Sequence, residues 1–105
     1  MKLLTKELEK KMPALYAQDG KGQQAVAYVK FFHPMTSGVW FATEFDPNEK
    51  MFFGWAEIQP GCGELGYFSL TEMESVKVWG LGIERDLYFN PCTLDEAIKE
   101  YRETH

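Results

Sequence analysis

The stretch GVWFATEFDPNEKMFFGWAEI, residues 38–58, constrains the fold more than any other. Two runs rich in aromatic and β-branched residues flank Asp-Pro-Asn-Glu. There Asp46 can accept a turn hydrogen bond, Pro47 presets φ and Asn48 tolerates the third position. The pattern predicts two antiparallel strands joined by a tight reversal. Alternation then puts Val39, Phe41, Thr43 and Phe45 on one side of the first strand, with Trp40, Ala42 and Glu44 on the other. Ahead of this hairpin, AVAYVKFF (25–32) is apolar at both parities except for Lys30, the pattern of a central strand covered on both faces. Behind it, the turn Pro-Gly-Cys-Gly leads into ELGYFSL, a further strand.

Helical signals bracket the meander. Leu4, Leu8, Met12 and Leu15 recur near helical spacing with Thr5 as N-cap, and Pro13 disfavours helical geometry at Met12. SLTEMESV offers two overlapping capping boxes, Ser69 with Glu72 or Thr71 with Glu74. Those glutamates then satisfy backbone N–H groups rather than forming a catalytic pair. In NPCTLDEAIKEYRETH, Thr93 and Glu96 form a third box, and Leu94, Ala97, Ile98 and Tyr101 make one apolar stripe. The expected fold class is α+β: an antiparallel meander of about four to five strands flanked by short N-terminal, middle and C-terminal helices. With 105 residues, the chain is expected to be a single globular domain, residues 1–105.

Composition excludes several functions. Sixteen acids against eleven bases give a formal charge of −5, without a Lys/Arg-rich block, which disfavours nonspecific phosphate binding. No apolar run approaches the ~18 residues of a membrane span, and MKLLTKELEKK turns charged where a signal peptide would continue apolar. A cytoplasmic protein with no membrane association is expected. Cys62 and Cys92 are thirty positions apart, outside any CxxC spacing, and are expected to be free thiols.

Catalytic and metal signatures are absent from the pattern. His33 and His105 are the only histidines, and neither has a second ligand at the spacing a metal site uses. Nucleophilic catalysis needs a base beside the nucleophile, and only His33 could serve. Gly61, Gly63 and Gly66 do not precede a long helix, as a phosphate-cradling loop requires. No metal, cofactor or catalytic residue is therefore assigned.

Two features remain as candidate binding residues. Trp40 and Trp79 belong to a residue type that packs cores and also anchors interfaces. The segment GLGIERDLYFNP places Glu84, Arg85 and Asp86 between apolar runs. In an extended chain Glu84 and Asp86 share one face and Arg85 takes the other, so the three cannot simply pair among themselves. The structural expectation is that Arg85 forks onto a carboxylate such as Glu44 or Glu57. The functional one is a charged recognition patch.

Taken in order, MKLLTKELEKKMPALYAQ, VKFFHP, WFATEFD, FFGW, ELGYFSLTEMESV and GLGIERDLYFNPC resemble the bacterial family known as domain of unknown function 2958. The likeness runs from Met1 to about Leu94, and ELGYFSL and IERDLYF are its most specific blocks. The resemblance implies an intracellular accessory protein of plasmids, conjugative elements and phages, and it carries no catalytic residue with it. The expected function is protein–protein binding, with interference in a host defence as one concrete form. The alternatives are a nucleic-acid accessory using Trp40, Tyr28 and Lys30 on the sheet, or an enzyme with a carboxylate site around Glu84 and Asp86.

Overall fold

The computed structural model describes residues 2–104, so His105 lies outside the described residues. The hairpin forms as its turn chemistry predicts. Strand β3 (Val39–Asp46) pairs antiparallel with β4 (Met51–Glu57), and Asn48 N–H donates to Asp46 Oδ1 at 3.0 Å. Strand β5 (Glu64–Ser69) adds to β4. Two glycines on this side of the sheet stand where a side chain would collide. A Cβ on Gly54 would meet the Phe41 carbonyl, and one on Gly63 would meet the Trp55 indole.

The expected strand over 25–32 is two strands. β1 (Val26–Ala27) breaks at Tyr28 from β2 (Val29–Phe32), which joins β3. β1 instead pairs with β7 (Cys92–Thr93), and Leu94 N–H donates to the Ala25 carbonyl at 2.9 Å. β6 (Glu84–Arg85) pairs with β2, so the extended segment does pair as a strand. The result is α+β: a five-stranded antiparallel sheet in the order β5-β4-β3-β2-β6, plus the two-stranded β1-β7 ribbon.

Three helices accompany the strands. α1 covers only Lys6–Lys11, capped by Thr5 and ended at Met12, whose extended backbone precedes Pro13. The predicted stripe is therefore not the face of one helix. α1 buries nothing, while Leu4 and Met12, which flank it, are buried. α2 (Leu70–Ser75) uses the first of its two possible caps, Glu72 N–H donating to Ser69 Oγ at 3.2 Å. α3 (Leu94–Thr104) buries Leu94, Ala97, Ile98 and Tyr101, the predicted stripe.

The sheet is the middle of three layers. On one face Val39, Phe41 and Trp55 pack against α3. On the other, Phe31, Trp40, Phe45 and Phe52 pack under Leu3, Leu4, Met12 and α2. Burying each phenyl contributes about 2–3 kcal/mol, so both layers are substantial. The parity predicted for β3 fails after Ala42. A β-bulge shifts the register between Ala42 and Glu44, so Phe45 joins the layer of Trp40 and Ala42 while Glu44 pairs with Phe53. The bulge leaves Glu44 on the α3 side of the sheet.

Candidate functional site

Glu44 is only 4% exposed and organises the segment that follows Pro13. Tyr16 N–H donates to Glu44 Oε1 at 2.9 Å, and Gln18 N–H donates to Oε2 at 2.7 Å. Amides two residues apart can converge on one carboxylate in this way when the chain forms a concave nest. Tyr16 adopts φ of +73°, a conformation that costs a bulky residue energy, and its side chain is turned outward. Gln18 closes the bulge from the same side. Its amide nitrogen donates to the carbonyls of Val26 and Thr43, both at 2.9 Å, and its oxygen accepts from Val26 N–H. Phe45 N–H donates to the Pro13 carbonyl at 2.9 Å, which ties the start of the loop to β3 just past the bulge.

Above this nest lies a cleft of about 350 Å³. Glu44 and Thr43 form part of its floor; Tyr16, Phe53, Leu65 and Tyr67 wall it, and Asp19 stands at the rim. Phe53 and Tyr67 meet edge to face at 5.0 Å. The Tyr67 phenol is held above its ordinary value, first by its hydrogen bond with Tyr16, then by partial desolvation and by the Tyr16, Glu44 and Asp19 charges. The negative field of the two carboxylates therefore extends to the mouth.

β5 forms one wall of the cleft and is also an edge of the sheet. Leu70 N–H donates to the Lys50 carbonyl, and strict alternation along the ladder then turns the N–H and C=O of Leu65, Tyr67 and Ser69 outward. Leu65 and Tyr67 are 41% and 54% exposed. Edge strands are commonly blunted by lysine or proline; Glu64–Ser69 contains neither.

The residues singled out from sequence are distributed otherwise. Arg85 does not fork onto Glu44 or Glu57. Its Nη1 donates to the carbonyls of Lys2 and Leu3, at 3.0 and 2.8 Å. Glu44 is occupied by backbone amides, and Glu57 meets Arg102 at 3.3 Å, with the guanidinium lying over Trp55. A guanidinium has five N–H donors and can also spend them on backbone carbonyls, an option the spacing of charges cannot reveal. Asp86 lies 3.7 Å from Lys30 and accepts from Tyr88 N–H at 2.9 Å. Glu84 pairs opposite Phe32 and lines a different cleft from Asp86. The two acids do not converge on one cavity.

Trp40 is buried in the layer beneath α2, while Lys30 leans the other way, 5.9 Å from the Phe41 ring and 6.0 Å from that of Tyr101. Trp40, Tyr28 and Lys30 therefore do not make one exposed stacking platform. Trp79 is 84% exposed at the first central position of a tight turn. There φ values of +57° and +77° at Trp79 and Gly80 join Val78 and Leu81, which exchange two backbone bonds.

The histidine and cysteines are accounted for structurally. The His33 ring is fixed at both nitrogens, Nε2 donating to the Leu81 carbonyl at 2.8 Å and Nδ1 accepting from Met35 N–H at 3.1 Å. Burial, with Glu96 and Glu100 nearby, pushes the Cys92 thiol up and away from its nucleophilic form. Both cysteines are free. Among the described residues no group of three or more His, Cys, Asp or Glu is placed to hold a metal, and no helix is long and apolar enough to cross a membrane.

The family model described as protein of unknown function (DUF2958) matches residues 3–104. The chain belongs to this family. No curated protein and no solved structure matches it. The match spans every element of this DUF2958 fold, including α3, which the sequence resemblance left outside. For a DUF2958 protein, then, the site must be read from its own geometry. Glu44, Gln18, Tyr16 and Tyr67 were not assigned a site from sequence. The one available signal was an acid inside the apolar run of β3.

Proposed function

We propose that this protein acts by binding another protein, whose extended segment adds as a sixth strand along β5. The observation that supports this is the uncovered edge. Leu65, Tyr67 and Ser69 turn their backbone groups outward, beside two exposed apolar side chains and a cleft. Strand addition draws affinity from main-chain hydrogen bonds and specificity from alternate side chains, and β5 supplies both. The resemblance to proteins of plasmids, conjugative elements and phages suggests a partner in the host cell, and a defence protein is one such partner.

The test is peptide selection against the intact chain, followed by amide exchange. Selected peptides are expected to be extended, and to protect the Leu65 and Tyr67 amides that exchange freely in the unliganded protein. Tyr67→Lys, which blunts the edge, should abolish that binding in a chain that still folds, its melt lowered only by the lost contacts to Phe53 and Tyr16. Peptides that protect the Trp79 turn instead, or a chain that dimerises through β5 in sedimentation, would overturn this reading.

A further inference from the structure

The lining of the Glu44 cleft specifies the chemistry of its occupant. We propose that the cleft is a binding site for an organic cation, an ammonium or guanidinium carried on a short apolar body. Among the described residues no Lys, Arg or His lines it, whereas Glu44 lies in the floor and Asp19 at the rim. Three aromatic rings, Tyr16, Phe53 and Tyr67, stand around the space, and ring faces attract cations. Glu44 is locked by two backbone amides, so its position is set before anything binds.

Other occupants fit less well. An anion would meet two carboxylates with no basic side chain to offset them. That field is felt at the mouth, where it helps to raise the Tyr67 phenol. A bare metal ion lacks ligands, because no trio of metal-binding side chains gathers among the described residues. A wholly apolar ligand would cover a charged floor without compensating it, which is costly. The volume, about 350 Å³, sits at the small end of the roughly 300–1,000 Å³ usual for ligand clefts. It suits one amine or guanidine with an aliphatic or aromatic stem.

The cation has two natural sources, a free amine or a Lys or Arg side chain on a bound polypeptide, and one experiment separates them. The intact chain is titrated by NMR with benzylammonium, its neutral counterpart benzyl alcohol, and a pair of extended peptides differing only as arginine against citrulline. Saturable shifts at Asp19, Phe53 and Tyr67 are expected with benzylammonium, with benzyl alcohol at least about tenfold weaker, the size of a charge-assisted contact. An arginine peptide that binds tighter than both benzylammonium and its citrulline twin identifies a protein side chain as the source. Response to benzylammonium alone identifies a free amine.

Glu44→Gln should weaken the cation by about tenfold or more. Because that change touches the nest and can impair folding, Asp19→Asn and Tyr67→Leu, both at exposed positions, serve beside it. Each should weaken binding several-fold with the fold retained, Asp19→Asn leaving the melt unmoved and Tyr67→Leu lowering it only by the lost contacts to Phe53 and Tyr16. Equal affinity for benzyl alcohol, absence of saturation, or indifference to both exposed-site variants would overturn the proposal. Strand addition is judged separately: a citrulline peptide that binds β5 as well as its arginine twin retains that reading and excludes a peptide side chain as the cation, while failure of benzylammonium to saturate as well removes the cation site itself.

Discussion

Arg85 reaches Leu3 across 82 positions of sequence, its Nη1 donating to the Leu3 carbonyl at 2.8 Å. The contact holds the N-terminal segment against the outermost strand opposite β5, where Leu3 and Leu4 complete the layer over Phe31. The charge inside an apolar run thus works as a clasp between the N-terminal segment and β6.

Arg85→Met should cost about 1.5–3 kcal/mol in urea melts, the worth of hydrogen bonds from a charged donor. Its acceptors on Lys2 and Leu3 are neutral carbonyls, and a carbonyl left without its donor costs less than an orphaned buried carboxylate. A loss under about half a kcal/mol would show that Leu3 and Leu4 dock by apolar contact alone.

Ile98→Ala should cost about 2–4 kcal/mol, because its side chain is buried between α3 and the sheet. Thr93→Ala should cost about 1 kcal/mol, since Glu96 N–H then loses the Thr93 Oγ1 acceptor it meets at 3.2 Å. Chemical denaturation of both variants checks the pair. An unmoved midpoint for Ile98→Ala would mean that α3 is detachable.

Gly54→Ala should destabilise by about 1–3 kcal/mol or more, because the new methyl meets the Phe41 backbone rather than a movable side chain. Gly66→Ala, one strand away on β5 and facing open space, should be neutral or slightly stabilising. The contrast between the two melts separates steric demand from a general dislike of alanine.

In an ultraviolet titration Tyr67 should ionise above the usual phenol value of about 10, and Tyr16→Phe should bring it down by removing the largest cause of the shift. A folded-state value raised above the unfolded one means that the native chain retains a proton the unfolded chain has lost. The associated stability is fully present below about pH 10 and is lost as pH rises through the folded value of Tyr67. An unchanged Tyr67 titration in Tyr16→Phe would show that the hydroxyls do not interact in solution.

Local signals carried much of the fold into view before any coordinates. Asp46, Ser69 and Thr93 each bond the backbone amides expected of them, and the α3 stripe is buried residue for residue. What stayed hidden depends on tertiary contact. The break at Tyr28 follows from β7 arriving beside β1, some sixty-five positions downstream. Sequence points Arg85 toward acids because charges are visible in it while backbone carbonyls that await a donor are not. The Glu44 nest needs the left-handed backbone of Tyr16, which no local preference of tyrosine announces.

The bulge in β3 gives one strand two phases. Before it, odd-numbered side chains such as Phe41 look toward α3; after it, even-numbered Glu44 does. Thr43, the one residue of the strand left without a partner across from it, absorbs the change of phase. Removing Thr43 alone would restore an unbroken alternation that keeps Phe41 and Glu44 on the α3 side and Ala42 and Phe45 in the phenyl layer around Phe52. What such a deletion removes is the Thr43 carbonyl that anchors the Gln18 amide at 2.9 Å, a loss that no single substitution at Thr43 can reproduce.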